Sequence, residues 1–202
     1  MIPCIPAPEP GNFDQSVRQP GLKWLASHPQ PGSLKVAPPW RPLDYWSEIK
    51  SQLAAAFNDL CAYGAMYEPV GTVDHFLAVS TNPHLAYEWS NYRYASAWIN
   101  SSKQNASNIM DPFDVKADWF EIILPSLQLV LTEKVPKNLR PTAQYTLERL
   151  KLIEDERILR QRQHWYAEFL AKRLSLEGLR RHAPLIARAI DKQNTPQNQS
   201  KG

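Results

Sequence analysis

The chain has 202 residues, 43% of them hydrophobic, with seven Trp, eight Tyr and a formal net charge of +3. This length allows one globular domain with additions or two small lobes, and the apolar content supports a core, which excludes a disordered chain. Two cysteines, Cys4 and Cys61, exclude both a disulfide framework and a zinc knuckle made from cysteines alone.

No segment approaches the roughly 18 apolar residues needed to cross a bilayer. The start, Met1 to Pro6, has neither the basic residues nor the apolar stretch of a signal peptide. A reducing, cytoplasmic setting without a membrane partner is therefore expected.

Residues 1–42 hold ten of the 18 prolines and show no period. They predict an extended arm laid over the domain and pinned by Phe13, Trp24, Leu25 and Trp40. Asp44 can cap a helix running to about Leu60, in which Trp46, Ile49, Leu53, Phe57 and Leu60 form one apolar face. From 61 to 103 short aromatic and β-branched pieces alternate with Gly64, Pro69, Gly71 and Asn82-Pro83. They predict a strand over Val73–Val79, a turn, and a helix from Ser90 or Asn91 to about Lys103. The run 119–131 reads as buried strands. Pro141 opens a helix with Leu147, Leu150 and Ile153 inside, a second carries Ile158, Trp165 and Phe169, and a third spans about 176–191. The polar tail 193–202 is expected to be disordered. The reading is α+β, with an arm (1–42), a central domain (43–139), a helical C-terminal lobe (140–192) and the tail.

Charge is uneven. Residues 140–192 carry twelve Lys/Arg against seven Asp/Glu, whereas 1–139 carry ten against thirteen. Such a lobe can follow a phosphate backbone by releasing counterions, or can simply be a solvated helix face.

The chemistry concentrates in Val73-Asp74-His75-Phe76, Tyr87-Glu88-Trp89-Ser90-Asn91 and Asn100-Ser101-Ser102-Lys103. Hydrolysis of a phosphodiester needs a base for the attacking water, stabilisation of the departing oxygen, and a grip on the phosphate. Histidine suits the first task because its pKa lies near neutrality. Mg²⁺ suits the second and prefers oxygen ligands such as an Asp carboxylate and an Asn carbonyl. Adjacent Asp74 and His75 on a strand point to opposite sides of it. Asn91 and Asn100, nine residues apart on the expected helix, cannot share a face.

This pattern, Asp-His, a loop, Asn, a second Asn nine residues on and Lys three later, resembles the HNH or ββα-metal nuclease motif. The wider string through Tyr92-Arg93 resembles a bacterial subfamily whose members include nucleases of Septu-type and retron-linked anti-phage systems. Phe13, Val17, Arg18, Gly21, Trp24 and Leu25, then Cys61-Ala62-Tyr63 and Asp111-Pro112-Phe113, are similar to that subfamily's flanking segments. The resemblance implies a compact ββα unit with His75 as general base, Asp74 and Asn100 as ligands of Mg²⁺ or Mn²⁺, and Asn91 as the asparagine that locks the loop. It implies phosphate contacts from Lys103 and Arg93, DNA as substrate with RNA as the alternative, and an ATPase or a second copy of the chain as partner. Two positions depart from the pattern. Gly64 stands where many relatives have a second Cys, so no zinc is expected at Cys61. Ala78-Val79 replaces a common Pro-Lys pair, which removes one phosphate contact.

Singly these residues have plainer uses: Asn91 as a helix cap, Asn100 as a surface polar group, and Trp89, Tyr92, Tyr94 and Trp98 as packing. A worn HNH scaffold kept as an adaptor, with 140–192 docking a partner, is the competing expectation from another functional class.

Overall fold

The protein, described here by a computed structural model over residues 1–28 and 40–194, is a mixed α+β structure dominated by short helices. Within the expected arm, a π-helical turn at Asp14–Arg18 runs into α1 (Gln19–Ser27). The expectation of an extended arm is corrected there. Pro20 falls in the first turn of α1, where a missing amide hydrogen breaks no helical bond. Phe13 and Val17 are fully buried, and Trp24 stacks on His28 with ring centroids 4.6 Å apart. Residues 29–39 and 195–202, which include most of the expected disordered tail, lie outside the described residues.

Asp44 does cap the next helix: its carboxylate accepts from the Ser47 amide at 2.9 Å and the Ser47 hydroxyl at 2.7 Å. The helix is shorter than expected, a 3₁₀ turn at Trp46–Ile49 and then α2 (Lys50–Ala56). Asn58 and Asp59, both at positive φ, turn the chain out of it.

The next elements differ from the expected strand, loop and helix. Strand β1 (Thr72–His75) stops before Phe76, and Asn91 does not open a helix. Instead β2 (Tyr92–Ala95) pairs antiparallel with β1, Asp74 opposite Arg93 and His75 opposite Tyr92. Only then does α3 (Ala97–Lys103) begin. All four β2 residues are buried, and aromatic Tyr92 and Tyr94 suit a pleated, enclosed strand better than a helix. The local order is strand, long loop, strand, helix.

The run 119–131 is the expected pair of strands, β3 (Phe120–Ile123) and β4 (Gln128–Leu131), antiparallel with Phe120 opposite Leu131. Helix α4 (Arg140–Arg149) starts where expected but ends before Leu150 and Ile153, and α5 (Glu156–Leu170) carries Ile158, Trp165 and Phe169 as expected. The third expected helix is two, α6 (Leu176–His182) and α7 (Pro184–Asn194). Pro184 forces the break, because a residue before proline is pushed off helical geometry, and Ala183 sits at φ −148°, ψ 65°.

One buried cluster runs from Met1 and Phe13 through Tyr63, Tyr92 and Ile99 to Leu147, Ile158 and Ile190. The helical lobe is therefore tied to the centre. Arg162 of α5, 1% exposed, donates to the carbonyls of Leu127, Leu152 and Ile153, and burial pulls its pKa down to about 10. Ile186 and Ile190 of α7 are buried in this core. Arg188 donates to the Phe120 carbonyl and Lys192 pairs with Glu121 at 2.5 Å, so α7 lies against β3. Among the described residues no helix is long and apolar enough to cross a membrane.

Candidate functional site

β1 carries Asp74 and His75 on consecutive residues, so their side chains leave on opposite faces. The two faces are different chemical environments.

On the Asp74 side everything is closed. The carboxylate accepts from the Lys103 ammonium at 3.0 Å through Oδ1 and from the Tyr63 hydroxyl at 2.6 Å through Oδ2. Lys103 also donates to the His75 carbonyl at 2.7 Å. The side chains of Lys103 and Asp74 are 0% and 2% exposed. Burial, with Asp74 next to it, holds the Tyr63 hydroxyl well above its ordinary pKa, so it stays a donor. A charged pair this deep survives because each carboxylate oxygen accepts a hydrogen bond and the two charges neutralise each other.

On the His75 side the ring is wedged edge-on between Trp46 and Tyr92, with centroids 4.5 and 5.1 Å away. Its Nε2 lies 2.9 Å from the Ala86 carbonyl, which also accepts from the Tyr92 hydroxyl at 2.8 Å. A carbonyl only accepts, so Nε2 carries the proton and the neutral ring has its lone pair on Nδ1. Nδ1 has no hydrogen-bond partner among the described residues. Burial is the largest influence on this imidazole and lowers its pKa below the usual 6.5, with Lys103 acting in the same direction. The ring is neutral at neutral pH.

The loop between the strands is fixed by Asn91. Its Oδ1 accepts from the Leu77 amide at 2.8 Å, and its Nδ2 donates to the carbonyls of Leu77 and Leu85 at 3.0 and 3.2 Å. One side chain thus holds both ends of the loop that delivers the Ala86 carbonyl to His75. Asn100, on α3, donates through Nδ2 to Thr72 Oγ1 at 3.1 Å and the Val73 carbonyl at 3.3 Å, docking the helix on β1. Its Oδ1 takes no protein donor among the described residues.

Lys103 and Arg93, expected to meet phosphate, are turned inward. Arg93 is 2% exposed and grips the Asp111 carboxylate with Nε at 2.9 Å and a terminal nitrogen at 2.5 Å. Its other terminal nitrogen donates to the carbonyls of Ser90 and Tyr92, and its guanidinium lies 3.7 Å from the Phe113 ring centroid. In this arrangement neither cation reaches a surface on which phosphate could sit.

The same geometry bears on the expected Mg²⁺ or Mn²⁺. Among the described residues no three His, Cys, Asp or Glu side chains come together as a metal cage. Of the expected pair, Asn100 keeps a free carbonyl oxygen, but both Asp74 oxygens are engaged and its counter-charge is already an ammonium. As folded, Asp74 does not fit a divalent ion. Cys61, the expected remnant of a zinc knuckle, accepts from the amides of Gly64 at 3.3 Å and Ser96 at 3.4 Å, closing a turn under α3.

Trp46, expected only on the apolar face of its helix, and Tyr63, Ala86, Asp111 and Phe113 were assigned no role at the site from the sequence. Cys61-Ala62-Tyr63 and Asp111-Pro112-Phe113 were recognisable as segments, but their pairing with Asp74 and Arg93 depends on contacts across 11 and 18 residues. Comparison with protein-family models and with curated proteins finds no match to this chain.

Proposed function

We propose that the chain hydrolyses phosphodiester bonds, with DNA as substrate, on an HNH-like strand-loop-strand-helix plan in which His75 is the general base. The observation that carries this is the His75–Ala86 hydrogen bond. It fixes the tautomer so that the open nitrogen, Nδ1, holds a lone pair, and burial keeps the ring neutral and ready to accept a proton.

A water hydrogen-bonded to Nδ1 gives up its proton there as its oxygen attacks phosphorus, and the P–O bond opposite breaks, the departing oxygen taking its proton from solvent water. Throughout, Nε2–H remains bonded to the Ala86 carbonyl, which steadies the imidazolium that forms. Asn91 contributes by holding the loop and therefore that carbonyl. No step is assigned to Asp74.

A second reading is favoured by one specific observation. The closed Asp74–Lys103–Tyr63 cluster leaves the leaving-group oxygen without the cation expected to stabilise it, which suits a silent scaffold serving as an adaptor. Incubating supercoiled plasmid with wild-type protein and His75→Ala, with and without Mg²⁺ or Mn²⁺, separates the two. The hydrolase reading expects wild-type cleavage and a rate about 10²–10⁴ lower in the variant. Equal rates would remove His75 from the mechanism, and no cleavage under any metal condition would leave the adaptor.

A further inference from the structure

Outside the strand pair, the strongest unassigned feature is a polar groove of about 390 Å³ on the outer side of α3. Trp98, Ser101 and Ser102 of α3 form one wall, and Arg149, Lys151 and Arg157 form the other. Among the described residues no carboxylate lines it.

Two of its three cations, Arg149 and Lys151, form no ion pair among the described residues. Arg149 donates only to neutral oxygens, the Lys103 carbonyl at 3.2 Å and the Gln104 side chain at 3.1 Å. Lys151, exposed just past the end of α4 and at positive φ, has no ion pair among the described residues. Arg157 pairs with Asp155 at 3.0 Å and lies 4.8 Å over the Trp98 ring. Ser101 is exposed and adds a hydroxyl donor. Fixed guanidinium donors, a mobile ammonium and a hydroxyl on one concave surface form a donor set suited to phosphate oxygens. The field has a direction, too. Beyond Lys151 the adjoining depression is lined by Glu148, Glu154 and Asp155, so an anion is favoured on the Trp98 side and repelled past Lys151.

We propose that this groove binds the phosphates of a single nucleic-acid strand and so supplies the backbone grip that buried Lys103 and Arg93 do not. The proposal rests on the hydrolase reading for its purpose, but not for its test. Arg149 links the groove to the candidate site through the Lys103 carbonyl, at the end of the helix whose inner face carries Asn100.

The test is fluorescence anisotropy of a labelled single-stranded DNA without divalent metal, so that binding is read without turnover. Wild type should bind with a salt-dependent affinity. Lys151→Glu and Ser101→Glu, both at exposed positions, should each weaken binding roughly tenfold and flatten the slope of log K against log salt by about 0.7 for each phosphate the groove no longer neutralises. Lys137→Glu, the same charge change as Lys151→Glu and a larger one than Ser101→Glu, on an exposed lysine outside the groove, should bind more nearly as wild type does. Groove variants that match wild type, or a control that loses as much affinity as they do, would overturn the proposal. Salt-sensitive groove binding without cleavage would retain the groove and remove the hydrolase. Cleavage by a protein whose groove variants bind normally would do the reverse.

Discussion

The two faces of β1 make the instructive comparison. Asp74 and His75 are neighbours in sequence, yet one is sealed in a saturated cluster and the other keeps a ring nitrogen open. Asp74 spends both oxygens and its charge on Lys103 and Tyr63, within a side-chain exposure of 2%. His75 spends one nitrogen on Ala86 and leaves the other. An acid-base group does chemistry only with unspent capacity, so the proposed function places the reaction on the histidine's face and leaves the aspartate's face a structural part. Two residues that a motif joins are thereby given different work by the folded environment.

Breaking the sealed face should have the largest effect on the fold. Lys103→Met leaves a buried carboxylate without its counter-charge and should lower stability by about 3–5 kcal/mol in denaturant unfolding. Adding Asp74→Asn removes the stranded charge and should recover much of that loss. A Lys103→Met protein as stable as wild type would show that the pair is not closed in solution.

A smaller loss is expected from the loop that serves the open face. Asn91→Ala removes three hydrogen bonds to Leu77 and Leu85 and should cost about 2–3 kcal/mol. It should also slow cleavage, since the Ala86 carbonyl would no longer be held at His75. Unchanged stability and unchanged rate together would mean that the loop holds its shape without Asn91.

The smallest effect is the pH dependence of stability due to His75. Burial lowers its pKa in the folded state below the 6.5 of an unfolded chain, so the unfolded state takes up the proton first. This contribution is whole above pH 6.5 and is lost as pH falls through the lower folded value. His75→Phe should therefore be less acid-sensitive than wild type below pH 6.5 in thermal melts. Parallel acid sensitivity in the two proteins would refute the shift.

The same contrast accounts for what could be read in the sequence. Elements with a clear local period or stop signal were legible: strands in the apolar run 119–131, the start of α4 at Pro141, and the existence of α5. β2 was not, because Tyr92 to Ala95 are all buried and give no alternation, and because its partner β1 lies about twenty residues back. Asn91 followed by aromatic residues looked like a helix cap, whereas its amide is used across the loop. Asp74, His75, Asn91 and Asn100 could be named from the sequence as one candidate site. Their state could not be read there, since charge neutralisation by Lys103 and the inward turn of Arg93 onto Asp111 and Phe113 arise only when α3 and the segment after it close over β1.

The central claim is that His75 is a neutral base with Nδ1 free, and the pH profile of plasmid cleavage tests it most directly. The wild-type rate should rise along an acid limb with its midpoint below 6.5 and level off above it, because the titrating imidazole is buried. His75→Ala should lose both the limb and about 10²–10⁴ of the rate. An acid limb that persists in His75→Ala, or a wild-type midpoint above 6.5, would contradict the account.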